Sequence, residues 1–119
     1  MSDSLLMQIA RDSIQEVLQT QNIINKAQLL QEHPLLRQKI NTTISLTIDN
    51  EQRGSAKSKA VPKHSLLYEI IILSKRAAFE DSAFAPLGVL EYFHTDIEIT
   101  LETPEGLITQ KGPLHLQKS

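Results

Sequence analysis

Between Leu5 and Leu18 the apolar residues Leu5, Leu6, Ile9, Ala10, Ile14, Val17 and Leu18 recur at spacings of three and four. They paint one stripe on a 3.6-residue period, which predicts an amphipathic helix. Ser2, Asp3 or Ser4 can cap its first amides, and the polar run from Gln19 to Asn22 ends the pattern. Asn25 is placed to cap a short helix through Leu30. Pro34 should break it, because the residue before a proline avoids the helical region.

At Ile40 the period changes to two. Ile40, Thr42, Ile44, Leu46 and Ile48 point one way and Asn41, Thr43, Ser45 and Thr47 the other, so this is a strand with one buried face. Asp49-Asn50 suits a tight hairpin, since both residues tolerate the left-handed conformation. The return through Glu51 to Ser58 reads as a short polar strand or loop. A second long helix is predicted from near Ser65, with Leu67, Ile70, Ile71, Ser74, Ala77 and Ala78 at helical spacing and Pro62 before it. Glu69 in its first turn and Lys75 and Arg76 late in it follow the order that the macrodipole favours. Ile71 falls on the inner face of this helix and Lys75 outside it.

Residues 81–88 read as a loop with two apolar anchors, Phe84 and Leu87. From Asp96 to Thr103, Ile97, Ile99 and Leu101 alternate with Glu98, Thr100 and Glu102, a half-buried strand with an acidic face. Pro104-Glu105-Gly106 turns the chain, Leu107 to Thr109 can pair back, and residues 111–119 read as a frayed tail. The expected architecture is α+β, an antiparallel sheet packed against two main helices, in a single domain over residues 1–119.

Composition narrows the chemistry. The 119 residues contain no cysteine, which excludes disulfides, thiolate zinc sites, iron–sulfur clusters and thiol catalysis, and suits a reducing cytosol. The formal net charge of −2 excludes an overall basic nucleic-acid binder but leaves room for a local patch. The longest apolar run, Ile70 to Leu73, is far short of the ~20 residues that span a bilayer. With an acidic N-terminus, the chain reads as cytoplasmic, without membrane or targeting segment.

Few residues suggest a site. His33, His64, His94 and His115 lie in separate segments with no metal-ligand spacing, so no metal or cofactor is expected. Glu98 and Glu102 share a strand face but stand about 13 Å apart by strand rise, which reads as a solvated acidic face. The basic stretch from Arg53 to His64 is more suggestive. Arg53, Lys57, Lys59, Lys63 and His64 occur there without an acidic residue, and Gly54, Ser55 and Ser58 leave backbone amides accessible before a helix start. These residues are candidates to hold a phosphate or a nucleic-acid backbone. No aromatic residue in the stretch is available to stack a base.

A family resemblance adds to this. Leu66-Leu67-Tyr68-Glu69-Ile70-Ile71, Ala77-Ala78-Phe79-Glu80-Asp81, Phe84-Ala85-Pro86-Leu87 and Asp96-Ile97-Glu98-Ile99 before Leu101-Glu102-Thr103-Pro104-Glu105 fall in a familiar order. The chain resembles the family of the AMME-syndrome candidate-region protein, system protein A of the AmmeMemoRadiSam cluster, over roughly residues 4–108. That family carries a helix ending in AAFEDPRFPPL and a strand of the form IEVSVLTPPE. Its hallmark hexapeptide, LRGCIG, aligns with Gln52-Arg53-Gly54-Ser55-Ala56-Lys57. Arg53 and Gly54 match, whereas the cysteine position is Ser55 and the closing glycine is Lys57.

The resemblance implies an α+β fold and no established activity, with Memo-like and radical-SAM proteins as pathway partners in modification of RNA or another macromolecule. Any role of the hexapeptide carries over to Arg53 and Gly54 alone, since Ser55 supplies no thiolate. It further implies that Glu80-Asp81 is a structural corner that holds the following loop; apart from the resemblance, Asp81 is a candidate partner for Arg53. The family continues past its TPPE strand, so Asp96–Thr103 or Leu107–Gln110 is expected to form an open edge that a homodimer would pair. Two functions remain open. One is a small non-catalytic binding or accessory module; the other is an enzyme or nucleotide-handling domain with its site at Arg53-Gly54 and the basic loop.

Overall fold

The computed structural model describes residues 4–115. Helix α1 (Leu5–Gln19) is capped by Ser4, whose hydroxyl accepts the Met7 amide, while Ser2 and Asp3 lie outside the described residues. Its inner face is Leu6, Met7, Ile9, Ala10, Ser13 and Ile14, and Arg11 is also buried. The stripe stops there: Val17 is exposed. Thr20 ends the helix in the left-handed conformation and donates its amide to Glu16 and Val17. Helix α2 (Lys26–Glu32) carries Asn25 as its cap, and a 3-10 turn over Pro34–Arg37 then buries Leu36.

Four strands form one antiparallel sheet in the order β2-β1-β3-β4. They are β1 (Asn41–Ile48), β2 (Glu51–Lys57), β3 (Thr95–Thr103) and β4 (Gly106–Pro113). Asp49 and Asn50 both adopt positive φ, the backbone that a two-residue hairpin between β1 and β2 requires. The period-2 alternation on β1 and β3 is what the sheet uses. Thr42, Ile44 and Leu46 face the core beside Leu101, Ile99 and Ile97, their cross-strand partners.

Helix α3 (Leu66–Phe79) lies across β1 and β2 and packs against α1. It buries Leu66, Leu67, Ile70, Ile71, Leu73, Ser74, Ala77 and Ala78, and also Glu69. Lys75 lies outside that face, as expected, but it is engaged: its ammonium pairs with Glu16 of α1 at 3.0 Å. The other Glu16 oxygen accepts the amides of Ile23 and Ile24, so one carboxylate ties both helices to the turn after α1.

Four expectations need correction. Phe84 is not an apolar anchor; it is partly exposed, and Leu87 alone enters the core. A short helix α4 (Val89–Tyr92) follows, where no element was predicted. The stretch 111–119 is not a frayed tail in its described part. Lys111 to Pro113 pair with Asp96 to Glu98, Leu114 is fully buried, and Arg11 of α1 donates two hydrogen bonds to the Pro113 carbonyl. The signal was hidden because β4 is an edge strand with few core-facing apolar residues. Asp96–Thr103 is likewise not an edge, since β1 and β4 flank it.

Candidate functional site

The hexapeptide positions lie on β2, where the ladder slips. Leu46 pairs with Gly54 and Thr47 with Gln52, so Arg53 is the extra residue of a β-bulge. A bulge breaks the two-residue alternation and re-aims a side chain. Here Arg53 and Gly54 are therefore buried in succession. The Arg53 guanidinium turns under the segment after α3 and donates to both oxygens of Glu91, at 2.8 and 3.0 Å, and to the carbonyl of Ala85 at 2.8 Å. It also lies over the Phe84 ring, 5.4 Å from the centroid, so Phe84 stacks on a cation instead of entering the core.

Asp81 is thus not the salt-bridge partner of Arg53; Glu91, in α4, is. Asp81 instead accepts the backbone amides of Ala83 and Ser55, which fastens the start of the loop to the edge strand. Gly54 has a different task. A Cβ built on it would lie 2.1 Å from the Ala77 carbonyl oxygen, so α3 approaches β2 as closely as it does only over a glycine.

The pH response of this clamp follows from its hydrogen bonds. The Arg53 guanidinium, with help from the Gly88 amide, holds the Glu91 carboxyl below its usual range. The Ala83 and Ser55 amides do the same for Asp81. A carboxyl with a lowered folded pKa adds stability above its unfolded value, near 4, and that contribution is lost as pH falls through the folded value. Glu91→Gln should therefore cost about 1 kcal/mol at pH 7, discounted because 42% of the Glu91 side chain meets water. The gap from wild type in urea unfolding should close below about pH 4. A gap independent of pH would assign the effect to packing.

Beyond the clamp, the basic residues gather. Lys57, Ser58, Lys59, Lys63 and His64 form one wall of a cavity of about 250 Å³, and Glu69, Ile72, Leu73 and Arg76 of α3 form the other. Arg53, Gly54 and Ser55 do not line it. Ser55, at the position of the family's cysteine, borders a shallower hollow with Ala56, Arg76, Glu80, Asp81 and Ser82. Arg76 lines both hollows. None of the four cations around the first cavity, Lys57, Lys59, Lys63 and Arg76, forms an ion pair among the described residues.

Sequence reading missed Arg76, Glu69 and Glu91. Glu69 and Arg76 were read only as charges suited to the helix macrodipole, and nothing marked their face as the one the basic loop would cover. The remaining histidines stay apart: His115 packs edge-on against Phe93, and no group of three metal-ligating side chains occurs among the described residues. Nor is any described helix long and apolar enough to cross a membrane.

The AMMECR1 family model matches residues 7–118. Among solved structures, the crystal structure of an uncharacterised protein from Pyrococcus horikoshii is similar, with a TM-score of 0.71 and 25% identity. The match covers 83% of this chain and 50% of that one, so the chain spans half the length of that protein. No curated protein matches.

Proposed function

The chain belongs to the AMMECR1 family, and from that premise we propose that it is a small non-catalytic binding module whose cationic cavity holds a phosphate-bearing ligand. One observation carries the reading: Lys57, Lys59, Lys63 and Arg76 converge with His64 on a single cavity, and none of these four charges forms an ion pair among the described residues. Four cations against the one carboxylate of Glu69 leave this concave site net positive, which raises the local concentration of anions. A non-catalytic role is supported by what the hexapeptide does in the fold. Arg53 is spent on Glu91 and Ala85, Gly54 on the approach of α3, and Ser55 supplies no thiolate. Service beside Memo-like and radical-SAM proteins in the cytoplasm, on RNA or another macromolecule, is the pathway the family resemblance supports.

The test is direct. Wild-type protein should bind inorganic pyrophosphate, more weakly as salt rises. Replacing Lys57, Lys59 and Lys63 together with alanine should reduce that affinity at least tenfold, on the order of 1.4 kcal/mol, with an unchanged far-UV spectrum. Undiminished binding in the triple variant would sink the reading.

We also propose a homodimer paired along β4. Leu114 donates to Thr95, so alternate residues back from it face β3, and the backbone groups of Leu107, Thr109 and Lys111 turn outward. That short set is self-complementary about Thr109 in an antiparallel two-fold pairing, and Leu107 beside it is 70% exposed. Light scattering at micromolar concentration should report twice the 13.4 kDa chain mass. A single 13.4 kDa species would remove the dimer.

A further inference from the structure

The cavity between the basic loop and α3 holds one group that a plain anion site would not contain. Glu69 is only 6% exposed, lines the cavity, and has no hydrogen-bond or ion-pair partner for its carboxylate among the described residues. The carboxylate oxygens are not among the buried side-chain atoms left without a partner, so they open to the cavity and can accept from a ligand there. Glu69 stands beside Ile72 and Leu73 and, two turns on, Arg76, all four on one helical face at i, i+3, i+4 and i+7. The face is therefore graded. An acceptor lies at one end, an apolar stretch in the middle and a guanidinium at the other, about 10 Å away by helical rise.

We infer that this cavity takes a guanine nucleotide; the inference rests on the phosphate-binding reading above. A ligand matching the gradient needs adjacent N–H donors at one end, an apolar flat body, and an anion at the other end. Guanine offers its N1–H and exocyclic amine side by side, which a carboxylate accepts with both oxygens. Adenine presents an amine next to an acceptor nitrogen, which would face Glu69 with like polarity. Ile72 and Leu73 lie against the ring, and Arg76 with the loop lysines receives the phosphates. No aromatic residue lines the cavity, so it offers the base an edge contact instead of a stacking platform.

Calorimetric titration of GDP, ADP and pyrophosphate into wild type and Glu69→Gln separates the two claims. Wild type should bind GDP about tenfold or more tightly than ADP, the size of one charged hydrogen bond. Glu69→Gln, nearly isosteric, should erase that preference and keep pyrophosphate binding. Equal binding of GDP and ADP by wild type, or a preference that survives in Glu69→Gln, overturns the guanine assignment and leaves the phosphate reading standing. Failure of wild type to bind pyrophosphate overturns the phosphate reading and, with it, this one. The wild-type base comparison needs no variant to fold.

Discussion

Gly54→Ala is expected to destabilise the domain by about 3 kcal/mol or more, the upper range for overpacking. The added Cβ would lie 2.1 Å from the Ala77 carbonyl oxygen, and that atom is helix backbone, which has no rotamer to escape into. Either α3 lifts from β2 or the bulge at Arg53 closes. The first opens the core over Ile70 and Ala77; the second withdraws the guanidinium from Glu91. With a total stability of about 5–15 kcal/mol for a domain of this kind, such a loss lowers the urea midpoint steeply. Ser55→Ala, one residue on and exposed, should shift it by less than about 0.5 kcal/mol. Equal effects at the two positions would mean that α3 does not rest on Gly54.

Ile71→Ala should cost about 2–5 kcal/mol. Ile71 is 4% exposed on the inner face of α3, so truncation removes its transfer energy and leaves a void that close packing cannot refill. Lys75→Ala belongs to a smaller class, about 0.5–1 kcal/mol, because its ion pair with Glu16 is partly solvated. That still exceeds what a free surface lysine would show, since Glu16 also holds the amides of Ile23 and Ile24. Chemical denaturation of both variants gives the ratio. A larger loss at Lys75 than at Ile71 would place the helix in the wrong register.

Most of the fold could be read locally. Thr42, Ile44 and Leu46 alternate because one face of β1 meets the core, and Asp49-Asn50 marks its hairpin without help from the rest of the chain. The site was less legible, because its geometry depends on partners far along the sequence. That Arg53 points inward follows from a slip in the β1–β2 ladder, and its partner Glu91 lies 38 residues later. Asp81, the expected partner, holds the Ser55 backbone instead. The basic loop was visible as a charge run from Arg53 to His64. Its division was not: Lys57 onward lines a cavity, while Arg53 and Gly54 are consumed by the fold. Glu69 looked like a first-turn acid suited to the helix dipole, and only the folded loop makes it the wall of a cavity.

The strand order β2-β1-β3-β4 also sets how the domain assembles in time. Each outer pair is a hairpin closed by a few residues, and such units form within microseconds. The β1–β3 seam is another matter: Ile48 lies opposite Thr95, and all of β2, α3 and α4 intervene. Joining the hairpins closes a long loop, and that entropy must be lost before Ile44 and Ile99 meet. The seam, and not either hairpin, is where the folding barrier should concentrate. Helix α3 packs on β1 and β2, while α1 packs chiefly on α3 and only lightly on β3 and β4, so the α1–α3 contact joins the seam in that late encounter. Native-state hydrogen exchange would then show the amides paired across β1 and β3 among the last to exchange.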